Sequence, residues 1–231
     1  MGFYRRRRKR RRIGFLLLTI LLLAVLLVSC VAGADSMYLP RLFGTDVNIY
    51  RSEAVEAQHP TDTALAAELG DMIYMITASS VELEEFHSAS RAVKLYRDAI
   101  LNSIMLRNYS TYVGNPSLSA SVQKNYPHLN ATVMIPAPDF ENAMADCFGA
   151  QSVRNADGEL FAYLSKAACY ITPSQGRARS VTLEPLLIEE TARTYRMRFS
   201  LTDEAGASAT YQAMFVKRAD GSAYIKALEK I

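Results

Sequence analysis

The sequence contains no tryptophan, and it has only three cysteines and three histidines among 231 residues. His59, His87 and His128 lie far apart and form no pair with the spacing of metal ligands, so no metal site is predicted. No nucleophile stands on a sharp glycine-containing turn beside a base, and no glycine run ends in Lys followed by Ser or Thr. We therefore predict no catalytic residue and no cofactor.

Acidic residues occur close together in two places, which is the arrangement that acid and base catalysis would need. The first group is Glu82, Glu84 and Glu85, and the second is Glu189 and Glu190. Nothing apolar beside them would raise the pKa of one carboxyl above that of its neighbour. We interpret both groups as solvated surface.

Positive charge is concentrated near the amino terminus. Eight of the 26 basic residues lie in residues 5–12, so the rest of the chain has 18 Lys and Arg against 23 Asp and Glu and a net charge of −5. An acidic domain lacks the basic face that phosphate contacts require, so nucleic acid is not a predicted partner. The basic residues are Arg5, Arg6, Arg7, Arg8, Lys9, Arg10, Arg11 and Arg12.

An uncharged and mainly apolar stretch, residues 13–34, follows the basic cluster directly. At about 1.5 Å of rise per residue it makes a helix long enough for a hydrocarbon core of roughly 30 Å. Basic residues beside a membrane span stay on the cytoplasmic side. The pattern predicts a cytoplasmic tail (1–12), one transmembrane helix (13–34), and everything later on the opposite side of the cell membrane.

A second interpretation of the same stretch is an anchor made of lipid. Leu27, Val28, Ser29 and Cys30 resemble the lipobox of bacterial lipoproteins, in which a cysteine is lipidated after signal cleavage. This resemblance implies that residues 1–29 are removed and that Cys30 carries acyl chains. The later part of the chain faces the same way in both cases.

The remaining cysteines are Cys147 and Cys169. An oxidising compartment permits a disulfide between them, but two cysteines alone do not establish one, and two buried free thiols are the alternative.

The pattern of residues 35–60 is aperiodic and indicates a linker, after which residues 61–231 form a domain. Pro60, Thr61 and Asp62 form a helix-start signal. Apolar residues then recur every three or four positions and predict one helix after residue 62 and a second one over residues 81–107. The apolar positions of the first helix are Leu65, Leu69, Met72, Ile73 and Ile76.

Strand patterns dominate the second half of the domain. Residues 131–135 predict a strand, and Asp139 and Gly149 predict the ends of a short helix over residues 140–148. Strict alternation then predicts strands over 195–201, 211–215 and 224–228, with turns at 204–206 and at Asp220-Gly221. Met214 falls on the polar face of its strand in this pattern. Helices followed by an antiparallel meander predict an α+β domain.

The closing segment, residues 215–225, resembles the last hairpin of NTF2-like (cystatin-like) domains, with Tyr224 at the start of the final strand. The resemblance extends over residues 60–231 in the order of the elements. It implies helices packed on a curved antiparallel sheet, an NTF2-like half-barrel with a pocket. Members of this family serve as enzymes, in transport and as envelope scaffolds, so the fold alone does not settle the function.

Three hypotheses for function follow. The first is a non-enzymatic envelope protein that binds or positions other envelope proteins, such as a secretion or conjugation complex, since VirB8-like proteins share this plan. The second is a ligand-binding or enzymatic pocket, for which His87 or His128 would point inward. The third is a regulator acting through the basic tail, which is too short for a cytoplasmic domain.

Overall fold

The structure is a computed structural model, and it describes residues 50–77, 82–129, 133–172 and 181–231. Residues 50–231 form one unit. The predicted tail, membrane helix and lipidation site lie outside the described residues. In chain order the elements are β1 (Ala57–His59), α1 (Ala64–Thr77), α2 (Ala89–Leu95), α3 (Arg97–Arg107), α4 (Tyr109–Tyr112), α5 (Pro116–Asn125), β2 (Val133–Pro136), α6 (Ala137–Phe148), β3 (Ala162–Leu164), β4 (Cys169–Thr172), β5 (Val181–Glu190), β6 (Thr194–Asp203), β7 (Ser208–Lys217) and β8 (Ala223–Lys230).

The main sheet is antiparallel and has the strand order β1-β5-β6-β7-β8. Its β6-β7-β8 part is the meander that the alternating pattern predicts. The predicted turns are also present, because Gly206 and Gly221 adopt φ values of +82° and +88°, which favour glycine over residues with a side chain. The prediction of an α+β domain with antiparallel sheets is confirmed.

One face of the main sheet, called the inner face here, packs against helices. Met197, Phe199 and Leu201 of β6 project from it and are fully buried. Helices α1 and α6 contact strands of this sheet, and α3 packs on both helices. The apolar core therefore lies between the sheet and the helices, while the outer face carries the alternate residues of each strand.

A second, smaller sheet has the order β2-β4-β3. Val133 and Ile135 contribute to the main core, whereas Met134 joins a separate small cluster with Val122 of α5. Both faces of this sheet are thus covered, which accounts for the complete burial of β4.

Helix α6 ends as predicted but starts earlier. Gly149 has a φ of +62° and is the left-handed C-cap, whereas the helix begins directly after Pro136 and Asp139 lies in its first turn. The side chain of Arg218, from the β7–β8 turn, donates to the carbonyl oxygens of Ala145 (2.5 Å) and Asp146 (3.2 Å). A cation is favourable at this end of a helix, so the contact ties α6 to the sheet.

The prediction of a single helix over residues 81–107 is wrong. The segment before Ser88 is not helical, because the backbone of Phe86 exchanges hydrogen bonds with that of Leu228 at the edge of β8 (3.1 and 2.9 Å). Ser88 then caps α2 by accepting from the N–H of Arg91, and Tyr96 separates α2 from α3. A tertiary backbone contact overrides the helical periodicity here.

Candidate functional site

Residues 50–53, called the strap here, precede β1 and were assigned to the linker by sequence pattern. In the structure they are held against the outer face of the main sheet by Arg196 of β6. Its Nη2 lies 2.6 Å from the carbonyl oxygen of Tyr50 and 3.1 Å from those of Arg51 and Glu53. Tyr50 and Arg51 are helical, and a cation is favourable at the carbonyl end of a helix. The carbonyl oxygen of Tyr50 also accepts from the N–H of Glu53 (3.3 Å).

Glu53 fastens the strap to the turn between β5 and β6. Its carboxylate accepts a hydrogen bond from Thr191 Oγ1 (2.7 Å) and forms an ion pair with Arg193. Burial alone raises the pKa of Glu53, but the hydrogen bonds from Thr191 and Arg193 outweigh it, so the pKa lies below the usual value. The carboxylate is therefore charged at neutral pH.

The turn that receives Glu53 is organised by two buried threonines. Thr191 Oγ1 accepts from the N–H of Thr194 (2.9 Å), and the N–H of Thr191 donates to the carbonyl of Thr194 (2.8 Å). Both residues are fully buried. The hydroxyl that meets Glu53 thus has a fixed position, as precise side-chain recognition requires.

The other end of the strap reaches β8. Arg51 forms an ion pair with Glu229, and His87 Nδ1 lies 3.4 Å from the same carboxylate oxygen. The strap is therefore attached at the β5–β6 turn, at β6 and at β8. We call this set of contacts the clasp; it comprises Tyr50, Arg51, Glu53, Thr191, Arg193, Arg196 and Glu229.

A second ionic group lies on the inner face beside β1. His59 Nε2 is 2.6 Å from Glu190 Oε2, and Lys217 Nζ is 2.5 Å from Glu190 Oε1. Lys217 also lies 4.6 Å from the ring centroid of Tyr195, a cation–π distance. Hydrogen bonds, first from Lys217 and then from His59, hold the pKa of Glu190 below its usual value.

These charges are engaged in structural contacts. Glu53 and Glu190 have lowered pKa values, whereas a general acid needs a raised one. Among the residues that the structure describes, no three or more His, Cys, Asp or Glu side chains are grouped so as to hold a metal ion. The arrangement ties one segment of chain to a sheet.

The residues named from the sequence have different outcomes. His87 and His128 are both exposed rather than turned into the domain. Cys147 and Cys169 are buried free thiols, and burial raises the pKa of Cys147 to about 12. The basic cluster 5–12 and Cys30 lie outside the described residues.

Within residues 50–77, 82–129, 133–172 and 181–231, no helix is both long enough and apolar enough to cross a membrane. The predicted span over residues 13–34 lies outside these ranges, so it stays a prediction.

Sequence patterns miss the clasp almost completely. Within the clasp, the pattern identified Arg196 only as one polar residue of an alternating strand. Outside the clasp, the interpretation of Glu190 as solvated surface is wrong, because Glu190 pairs with His59 and Lys217. Each partner of the strap in the clasp is more than 100 residues away from it in the sequence, and no short motif predicts these contacts. Comparison with family models, with curated proteins and with solved structures finds no match for this chain.

Proposed function

We propose that this chain is a membrane-tethered envelope protein whose outer domain binds or positions other proteins and has no enzymatic activity. The clasp carries the proposal. It fixes residues 50–53, which belong to the predicted linker, to three places on the sheet. Fixing part of the linker leaves fewer residues between the predicted span and the fixed part of the domain, which favours binding or scaffolding near the membrane by raising the local concentration of the domain there.

The anchor in this proposal is the apolar stretch 13–34, with residues 1–12 in the cytoplasm. Lipidation at Cys30 is the alternative anchor, and it leaves the domain on the same side. The domain itself is proposed to be an NTF2-like half-barrel. Helices on one face of an antiparallel meander support this fold, as does the closing hairpin of β7 and β8.

Partner binding is expected at a face or loop of the domain. Strand addition needs free backbone groups at a sheet edge. At the edge formed by β5, the N–H of Leu183 already donates to Tyr74 Oη (3.1 Å), and Pro185, two residues later, has no N–H. At the β8 edge, Phe86 pairs with Leu228. These features at the β5 and β8 edges disfavour the addition of a further strand there, including a strand from a second copy of the chain.

Location is tested by labelling the full chain in intact cells with a membrane-impermeant maleimide. Glu204, which is exposed in the β6–β7 turn, is replaced by cysteine in one variant, and Arg8 in a matched variant. We expect E204C to be labelled in intact cells and R8C only after permeabilisation. Labelling of E204C only after permeabilisation contradicts the proposed topology.

Partner binding is tested separately by site-specific photocrosslinking in cells. The crosslinking residue is placed at exposed positions of the domain, for example at Arg198 on the outer face and at Leu160 in the loop before β3. We expect a discrete protein adduct from at least one face. If a survey of all faces yields no adduct, the binding role is wrong even when the topology is right.

The two anchors are distinguished by the mass of the purified chain. An intact membrane helix leaves residues 1–34 in place, whereas lipidation removes residues 1–29 and adds acyl mass to Cys30. Either result is compatible with the proposed role of the domain.

A further inference from the structure

Residues 50–59, called the arm here, comprise the strap and β1 and precede the first helix of the core. None of these ten residues is buried, and none belongs to either apolar cluster of the domain. The first buried side chain that follows the arm is that of Ala66 in α1. The arm therefore adds no buried side chain to the core.

Polar contacts hold the arm to the sheet. The strap is bound through the clasp, and the three residues of β1 pair with the end of β5. The N–H of Glu56 donates to the carbonyl oxygen of Glu190 (2.8 Å), and His59 Nε2 lies 2.6 Å from the carboxylate of Glu190. Single contacts of this kind near the surface are weak, and those between charges are screened by salt.

The surface that receives the arm does not depend on the arm for its own structure. Strand β5 pairs with β6 from Val181 to Glu190, and Thr191 and Thr194 hold the turn between them by hydrogen bonds to each other. Segments with few buried apolar contacts open at a lower free energy than the whole domain. The arm can accordingly leave the sheet while the domain stays folded.

We propose that the arm is a reversible extension of the tether, docked on the sheet in a short form and released as extended chain in a long form. Ten extended residues span at most about 35 Å. The same estimate gives at most about 54 Å for the fifteen residues 35–49 of the predicted linker. Release of the arm thus increases the maximum reach by roughly two thirds.

The change in reach rests on the proposed membrane tether, whereas the release itself rests only on contacts within residues 50–231. Tension on the linker acts on the strap before it acts on β1, because the strap comes first along the chain. The contacts then break one after another rather than together. In the long form the domain reaches partners farther from the membrane, and redocking of the arm draws it back.

Hydrogen exchange of the purified full chain in detergent, read by mass spectrometry at residue resolution, tests the release. The Glu56 amide reports on the arm because it is bonded to Glu190 in the docked form. Strand β7 serves as the core reference, since Tyr211, Ala213 and Phe215 are fully buried. We expect Glu56 to exchange at least on the order of 100-fold faster than β7 and still more slowly than in the unfolded chain.

Low urea separates local from global opening, because the urea dependence of an opening reaction scales with the surface that it exposes. Exchange of the Glu56 amide should not change in low urea, whereas exchange of β7 should accelerate. If Glu56 has the rate and the urea dependence of β7, the arm opens only when the domain unfolds and the proposal is wrong. Exchange of Glu56 at the rate of the unfolded chain also overturns it, because the arm is then not docked.

Variants test whether the clasp controls the release. In Arg196→Gln we expect Glu56 to exchange on the order of tenfold faster, because hydrogen bonds to a charged group contribute more than neutral ones. Strand β7 should keep its rate. The matched control is Arg198→Gln, which changes an exposed arginine two residues along the same strand and should match the wild type. An unchanged Glu56 rate in Arg196→Gln contradicts the proposal.

If Arg196→Gln also accelerates exchange in β7, the substitution has loosened the whole fold. Glu53→Ala then decides, since it removes the contacts with Thr191 and Arg193 from the arm and changes no residue of the sheet. Faster exchange at Glu56 with an unchanged β7 supports the release, and an unchanged Glu56 rate refutes it. Either result leaves the topology open to its separate test by maleimide labelling.

Discussion

Two glycines with the same backbone conformation allow steric contact to be separated from backbone strain. Gly149 and Gly114 both have a φ of +62°. A Cβ added at Gly149 would lie 2.7 Å from two ring carbons of Tyr224, whereas a Cβ added at Gly114 would meet nothing within 4 Å. Left-handed alanine costs roughly 1–2 kcal/mol at either position, and overpacking adds about 1–3 kcal/mol at Gly149 alone.

We therefore expect Gly114→Ala to lower the free energy of unfolding by about 1–2 kcal/mol and Gly149→Ala by about 2–5 kcal/mol. The larger loss also reflects the position of Tyr224, because Arg218 lies 5.2 Å from its ring centroid while capping α6. Displacing the ring disturbs that cap.

The assay is urea unfolding of the full chain in detergent, followed by far-UV circular dichroism. The dependence on urea should have the same slope in both variants, so that the shift in midpoint reports stability. Equal midpoints, or a more stable Gly149→Ala, would show that Tyr224 does not pack against the end of α6.

Three further predictions test other contacts. Gly158→Ala should lower the free energy of unfolding by about 1–3 kcal/mol, because the new Cβ would lie 2.1 Å from Asp98 Oδ1; thermal melts should show that this loss disappears in an Asp98→Ala background. Because Glu190 has a lower pKa in the folded than in the unfolded chain, its pairing stabilises the domain above the unfolded pKa, and this contribution is lost as the pH falls through the folded pKa. Lys217→Met should therefore lower the free energy of unfolding by roughly up to 1 kcal/mol at pH 7, and by less in acid. If urea titrations give the same difference between variant and wild type at pH 7 and in acid, this reasoning is wrong. Cys147, whose pKa burial raises to about 12, should resist maleimide at pH 8 until urea unfolds the chain, as measured by protein mass.

Local patterns predicted the strands of the meander and the end of α6 correctly. In both cases the information lies within a few residues: alternation places Phe199 and Leu201 on one face, and a glycine is favoured where φ is positive. The same reasoning failed for residues 82–88. Their apolar residues have helical spacing, but the segment is not a helix because the backbone of Phe86 pairs with that of Leu228. A partner 142 residues away leaves no periodic signal.

The candidate site was less accessible to prediction than the fold. Sequence alone placed Arg196 on the polar face of β6, which is correct, but it did not indicate what the guanidinium binds. The strap has no regular period and was read as linker. Its attachment depends on hydrogen bonds whose partners become neighbours only when the sheet forms.

The sequence by itself determined the separation of basic tail from acidic domain, the α+β order of elements and the faces of the meander strands, because charge and periodicity are local properties of a chain. Tertiary structure decided which exposed-face positions are buried and which charges are paired. Met214 shows the difference: its alternation assigns it to the outer face, yet it is buried there. That burial depends on distant parts of the chain, and alternation within a strand carries no information about them.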